Sequence, residues 1–142
     1  MSTTNKLIGK SISFLYRKKQ IYLNTKLCEY GIGCSEYMYI ISMPIDSSVN
    51  LSYLSNELGV DPALTTKVIN SLVKKELVYK HRSENDKRSF EVSLTEKGKQ
   101  IKPIIRKVLD EWTELMTKGM DNKTKESIIE NLEIMVENIK YR

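Results

Sequence analysis

Residues 85–98 read NDKRSFEVSLTEKG, and they place Asp86, Lys87 and Arg88 at the beginning of a short alternating segment. Two cations beside a carboxylate are suited to contact with an anionic surface such as a chain of phosphates. A charged hairpin tip is, however, more often simply solvated. The flanking elements therefore decide whether these residues bind anything.

A second candidate set lies on the predicted helix that begins after Asp61 and Pro62, an N-cap residue and a residue suited to the first helical turn. At 100° per residue, one face of this helix is aliphatic and the opposite face is small, polar or basic. The aliphatic face consists of Leu64, Val68, Ile69, Leu72 and Val73. The opposite face carries no acid and consists of Ala63, Thr66, Lys67, Asn70 and Lys74.

The remaining periodicity predicts five further helices and two strands. The helices are a first over 5–29, a second capped by Ser35 and ending by Pro44, a short third capped by Asn50, a long fifth over about 95–119 and a sixth capped by Asp121 or Asn122. The strands are 77–82 and 89–95, joined by the loop from Ser83 to Arg88. Thr95 is expected to cap the fifth helix, and Pro103 to kink it.

Composition indicates one globular domain in the cytoplasm. The chain has 142 residues, 40% of them hydrophobic and 29% charged, with no apolar run long enough to span a bilayer and no signal-peptide pattern at its start. The net charge is +5, and the basic excess lies in residues 1–30 and 61–100. That distribution favours a polyanionic partner, and because no apolar run is long enough to span a bilayer we expect no membrane partner.

Enzyme and metal functions are not favoured. One histidine and two cysteines, Cys28 and Cys34, do not make a zinc site, and we predict neither a metal nor a cofactor. Gly31-Ile32-Gly33 fails the dinucleotide-binding pattern because Glu36 stands where a third glycine is needed. In a reducing compartment the two thiols are not expected to form a disulfide, and redox sensing through them is the less favoured alternative.

A helix, a sharp glycine-containing turn, a second helix and a hairpin follow one another from residue 51 to residue 95. This order predicts a winged helix–turn–helix. The chain resembles the MarR-type transcriptional regulators over essentially its whole length. Two segments carry the resemblance, LSNELGVDPALTTKVINSLVKKELV and ENDKRSFEVSLTEKG. The resemblance implies a mainly α (α+β) chain, 1–142, with a winged helix DNA-binding region at 45–100. It implies that 5–44 and 101–142 form a helical dimerisation and effector region.

The resemblance also implies roles for particular residues on double-stranded DNA. The helix over 62–75 would enter the major groove of a roughly palindromic operator, and the hairpin would reach the neighbouring minor groove. Arg88 matches the family's minor-groove arginine and Asp86 the residue that orients it. The other predicted DNA contacts are Thr65, Thr66, Lys67, Asn70, Lys74, Arg82 and Lys87, among which Asn70 can present a donor and an acceptor together to adenine.

Members of that family are dimers, and many release DNA when a small phenolic compound or aromatic acid binds. Tyr16, Tyr37 and Trp112 offer aromatic walls for such an effector, and Arg17 could meet its anionic group. Packing of these side chains in the core accounts for them equally well. We expect a homodimeric repressor that a small molecule releases from DNA. The alternative is a winged-helix adapter that binds proteins and not DNA, and the acid-free helix face and the basic hairpin favour the regulator.

Overall fold

The structure is a computed structural model that describes residues 6–142, so Asn5, where the first helix is predicted to begin, lies outside the described residues. The chain divides into two compact units, Met1–Leu109 and Asp110–Arg142. The six α-helices of the described residues are α1 (Ile8–Leu27), α2 (Tyr37–Ser42), α3 (Leu51–Leu58), α4 (Pro62–Lys74), α5 (Glu96–Met116) and α6 (Asn122–Ile139). The strands are β1 (Val49–Asn50), β2 (Val78–Arg82) and β3 (Phe90–Leu94), and a single 3-10 turn, Cys28–Tyr30, follows α1.

Three helices begin where a short polar side chain predicts a start. Asn50, Asp61 and Asp121 each accept a hydrogen bond from the backbone N–H three residues later, at 2.7, 2.8 and 2.8 Å. Such a bond satisfies one of the unpaired N–H groups of the first helical turn. The predicted caps of α3 and α4 are therefore confirmed, and Asp121 rather than Asn122 caps α6.

The start of α2 differs from the prediction. Ser35 does not cap it, because the N-cap position belongs to Glu36 and no side chain accepts a hydrogen bond there. Glu36 instead accepts a bond from the backbone N–H of Gly33, at 2.7 Å. The preference of serine for caps is overridden here by a carboxylate that turns back onto the preceding loop.

The hairpin of β2 and β3 belongs to a three-stranded antiparallel sheet in the order β1-β3-β2. Strand β1, which sequence analysis did not predict, pairs Val49 with Val92 and Asn50 with Glu91. Only two residues long, it has no periodicity to detect. Asn50 both ends this strand and caps α3, so the helix–turn–helix begins directly at the sheet.

The sheet and α5 meet closely at Gly98. A Cβ atom on this residue would lie 2.2 Å from the Leu77 carbonyl oxygen, which no side chain can tolerate. Thr95 fixes the same corner, as its hydroxyl donates to the Glu76 carbonyl at 2.7 Å and accepts from the Gly98 N–H at 3.1 Å. The predicted cap at Thr95 is thus confirmed, and the Leu-Thr-x-x-Gly pattern records this close approach.

The core of the first unit consists of buried side chains from its α-helices, from β2 and β3, and from the loops between them. The fully covered ones include Leu23, Leu27, Ile40, Leu54, Ile69, Leu72, Val92 and Ile105. Leu64 and Val73, predicted to face inward, are 40% and 37% exposed. They lie at the two edges of the aliphatic stripe of α4.

The second unit contains the end of α5 and the whole of α6. No residue of α6 is buried, although the helix carries a row of large aliphatic side chains. The exposed ones are Ile129, Leu132, Ile134, Met135, Val136 and Ile139. Within residues 6–142, no helix combines the length and the apolar character needed to cross a lipid bilayer.

Candidate nucleic-acid interface

The polar face of α4 is exposed as the sequence predicts. Thr66, Lys67, Asn70 and Lys74 all lie at the surface. The Thr66 hydroxyl donates to the Pro62 carbonyl at 3.0 Å. This bond to its own helix fixes the orientation of the Thr66 side chain, including its methyl group. The face offers donors and cations without a carboxylate, which is suited to a polyanion.

Thr65 is not part of that face. Its side chain is fully buried, and its hydroxyl lies 2.8 Å from Ser55 Oγ, which donates to it, and 3.2 Å from the Tyr39 hydroxyl. The structure therefore contradicts the prediction that this side chain contacts DNA. The Thr65 hydroxyl instead joins α4 to α2 and α3, because buried hydroxyls need partners and these three satisfy one another.

A second buried contact fixes the other end of α4. We use the name carboxylate cluster for Glu36, Ser71 and Lys75. One Glu36 oxygen accepts from Lys75 Nζ at 2.6 Å and the other accepts from Ser71 Oγ at 2.8 Å. Lys75 also donates to the Gly31 carbonyl at 2.7 Å, so the loop before α2 is tied to the end of α4.

The carboxylate cluster holds Glu36 in its charged form. Burial by itself would raise the pKa of this carboxyl, but the hydrogen bonds from Lys75, Gly33 and Ser71 together outweigh that effect. The pKa is therefore lowered from its ordinary value. A charged and fully bonded carboxylate makes this a rigid attachment point for α4.

The loop between β2 and β3, which we call the wing tip, contains Asp86, Lys87 and Arg88. Its charged side chains are exposed, that of Arg88 by 94%. Asp86 Oδ1 accepts from the Arg88 backbone N–H at 3.0 Å and lies 3.6 Å from Arg88 Nε. Asp86 therefore shapes the loop and lies beside the Arg88 guanidinium.

Arg82 closes the wing rather than extending from it. Its guanidinium donates to the Lys87 carbonyl at 2.6 Å and lies 5.0 Å from the centre of the Phe90 ring. Lys80 lies 4.6 Å from the same ring and donates to Asn70 Oδ1 at 3.1 Å. A continuous set of contacts thus runs from the exposed face of α4 to the wing tip.

Sequence reasoning missed Lys80 and Glu36. Lys80 stands two residues before Arg82 on the same strand, so both side chains project from one side of the sheet. That alternation could have shown Lys80 as a partner of the wing. The short-range bond from Gly33 does not reveal the role of Glu36, because the two side chains that bond it lie 35 and 39 positions away.

A cavity of about 400 Å³ lies in the first unit beside the helix–turn–helix. Its walls include the predicted Tyr16 and Tyr37, together with Lys19, Tyr39 and Leu64. Tyr37 donates to Gln20 Oε1 at 2.7 Å, and burial raises its pKa above the ordinary value. Arg17 is exposed and does not line this cavity, and Trp112 is a buried residue of the second unit.

The chain is similar in sequence to known regulators. Residues 21–105 match the family described as transcriptional regulator SarA/Rot. The HTH-type transcriptional regulator SarZ of Staphylococcus aureus (strain USA300) is 32% identical over 107 residues, which cover 72% of each chain.

Solved structures agree with this match. A MarR transcriptional regulator from Methanosarcina mazei Go1 is 39% identical, with a TM-score of 0.86 over 92% of this chain and 94% of that one. A putative MarR family regulator from Listeria monocytogenes, solved with a 26mer DNA, has a TM-score of 0.90 over 95% of this chain and 90% of its own. At 22% identity it supports the fold alone. The chain therefore belongs to the SarA/Rot family and is a transcriptional regulator with the winged helix–turn–helix fold of the MarR-type DNA-binding proteins.

Proposed function

We propose that this protein represses transcription by binding a roughly palindromic operator as a homodimer, with α4 in the major groove and the wing tip in the minor groove. The observation that carries the proposal is the acid-free exposed face of α4 connected through Lys80, Phe90 and Arg82 to an exposed arginine. Asn70 and Lys67 are the base-facing candidates. Lys74 and Lys87 are suited to phosphates, and Arg88 to the concentrated negative potential of a narrow groove.

The dimer is supported by apolar surface on the terminal helices. In α1 the exposed fraction is 60% for Ile8, 54% for Phe14 and 63% for Ile21. In α6 the aliphatic row is exposed along its length. Exposed apolar side chains in such number favour association, and a second copy with two-fold symmetry would cover the same helices on both chains. Residues 5–44 and 101–142 are thus the proposed dimerisation region, and 45–100 the DNA-binding region.

The cavity is the proposed effector site, for a small phenol or aromatic acid. Tyr16, Tyr37 and Tyr39 provide aromatic walls, and Lys19 takes the cationic role expected of Arg17. Burial lowers the pKa of Lys19, so an anionic ligand would offset the cost of keeping its charge. Tyr39 also touches Thr65 of α4, which offers a route from the cavity to the DNA-binding helix.

The DNA proposal is tested by in-vitro selection from random duplexes with the full chain. We expect recovered sequences with two related half-sites, and a logarithm of the binding constant that falls steeply with the logarithm of salt concentration. Recovery of no sequence together with a salt slope near zero on random duplex would restore the adapter alternative.

The dimer is tested by sedimentation. At micromolar concentration the sedimenting species should have about twice the 16.5 kDa chain mass, and a species of the single-chain mass would contradict the dimer.

The effector proposal is tested with salicylate at millimolar concentration. We expect release of the operator and a higher melting temperature for the wild type. Lys19→Met should lose this response, whereas Lys18→Met, a matched change at the neighbouring exposed lysine, should keep it. A wild type that shows neither effect would exclude this class of effector while leaving the DNA proposal intact.

We place the regulator, without a cofactor, in the cytoplasm.

A further inference from the structure

Asn70 does not face outward with both ends of its amide free. Its Oδ1 atom accepts a hydrogen bond from Lys80 Nζ, at 3.1 Å. An ammonium group has three donors and no acceptor, so the atom that meets it must be the amide oxygen and not the nitrogen. The Lys80 contact therefore fixes which way the Asn70 amide is turned.

Lys80 is itself held in place. Its ammonium lies 4.6 Å from the centre of the Phe90 ring, and the Arg82 guanidinium lies 5.0 Å from the same ring. Attraction between cations and an aromatic face favours this arrangement. Lys80 is partly buried, unlike the neighbouring Lys74 and Lys87, and so loses less freedom when it bonds Asn70.

Asn70 and Lys80 together present hydrogen-bond donors to a base edge that approaches them. The amide nitrogen of Asn70 carries two N–H groups, and a base edge that comes near the amide oxygen also meets the ammonium of Lys80. Adenine offers an acceptor beside a donor in the major groove, whereas guanine offers two acceptors, N7 and O6. Lys80 uses one of the two lone pairs of the Asn70 amide oxygen and sets a cation beside the other, so acceptors on a base are favoured there over the amino donor of adenine.

We infer that Lys80 is a specificity-determining residue, which acts through Asn70 and directs it to a guanine in the operator rather than to an adenine. This inference rests on the proposed entry of α4 into the major groove. It replaces the adenine contact that the sequence alone suggests for Asn70. It also gives a strand residue outside the recognition helix a part in choosing the base.

The experiment compares half-sites selected by the wild type, Lys80→Met and Lys80→Arg. Methionine keeps an unbranched side chain against Phe90 but removes the donor, so the Asn70 amide is free to present both of its ends. We expect the wild type to prefer guanine over adenine at one position of the half-site by about tenfold or more. Lys80→Met should reverse or abolish that preference, and Lys80→Arg, which keeps a donor and a cation, should retain it.

Two controls separate the outcomes. Lys87→Met removes the same charge from the wing tip without touching Asn70, and should weaken binding without changing any base preference. Asn70→Ala should remove the preference at the same position that Lys80→Met changes. If the wild type selects an operator and Lys80→Met selects the same bases at every position, the inference is wrong while the proposed function stands. If the wild type selects no sequence at all, it is the proposed function that fails.

Discussion

The carboxylate cluster and the wing tip are two polar groups in the same unit, and they are built in opposite ways. In the cluster, the Glu36 side chain is 6% exposed and both of its oxygens are bonded to side chains of α4 or the residue that follows it. In the wing tip, the Arg88 side chain is 94% exposed and its neighbour Asp86 bonds mainly to the loop backbone. One group holds a helix in place, and the other is left available to a partner.

This difference separates two consequences of mutation. A buried charge that loses its partners affects the stability of the fold, since desolvation is no longer offset. An exposed charge contributes little to stability but changes the field that a polyanion meets. Changes in the carboxylate cluster should therefore affect unfolding and changes in the wing tip should affect binding. A change at Thr65, a second buried polar group, extends the test.

Glu36→Gln should have the largest effect on stability. The amide keeps the size of the side chain but removes the charge that Lys75 and Ser71 bond, at an expected cost of about 1.5–3 kcal/mol in the free energy of unfolding. Urea unfolding at pH 7 measures this. Glu29→Gln, at an exposed glutamate, is the matched control and should differ from wild type by less than about 0.5 kcal/mol.

The difference in stability between wild type and Glu36→Gln should also depend on pH. The pKa of Glu36 is lowered in the folded chain, so its contribution to stability is fully present above the ordinary value of 4.5 and is lost as the pH falls below it toward the folded value. The difference between wild type and Glu36→Gln should therefore shrink below pH 4.5. A difference that stays constant from pH 7 to pH 3.5 would show that the charge of Glu36 is not what stabilises the cluster.

Thr65→Val should have the next largest effect on stability. Valine has nearly the same shape but leaves the hydroxyls of Ser55 and Tyr39 without their shared partner, at a cost of about 1–2 kcal/mol. Thr66→Val makes the same chemical change on the exposed face and should cost less than about 0.5 kcal/mol. Thermal unfolding of both variants measures the contrast, and equal losses would mean that burial of Thr65 is unimportant.

Arg88→Ala should leave stability within about 0.5 kcal/mol of wild type, because the side chain is almost wholly exposed. Its effect should appear in DNA binding, where the salt slope falls by about one unit and affinity decreases for all sequences. Lys123→Ala removes an exposed cation of α6, outside the proposed interface, and should leave the slope unchanged. If neither Arg88→Ala nor Lys123→Ala alters the salt slope, Arg88 does not contact DNA.

Asp86→Asn should produce the smallest change. Asparagine can still accept from the Arg88 backbone N–H, so the loop keeps its shape while the ion pair is lost. Asp86→Ala removes both contacts and should weaken DNA binding further, since the free arginine then loses more freedom on docking. Fluorescence anisotropy with a labelled operator measures the order. Equal binding by both variants and wild type would show that Asp86 does not orient Arg88.

The starts of α3, α4 and α6 could be predicted because they are determined locally. Asn50, Asp61 and Asp121 each bond a backbone group three residues away, and such contacts are visible in any short window of sequence. The hairpin could be predicted for a similar reason, because Phe90, Val92 and Leu94 alternate with polar residues.

The contacts that sequence reasoning missed join distant positions. Strand β1 exists only because Val49 meets Val92, and Glu36 is bonded from Ser71 and Lys75. Thr65 was misplaced for a different reason. At 100° per residue Thr65 falls in the middle of the aliphatic stripe, between Leu72 and Ile69, so the helical spacing already favoured burial and the resemblance alone placed it on the DNA-facing side.

The separation of faces on α4 has a consequence for how such regulators can diverge. Folding depends on Thr65, Val68, Ile69 and Leu72, which are buried, whereas Thr66, Lys67 and Asn70 contribute almost nothing to the core. A duplicated copy of the gene can therefore change the second set freely and still produce a folded protein. On the proposed function, changes on the exposed side of α4 can alter operator choice while the opposite side keeps an ancestral scaffold.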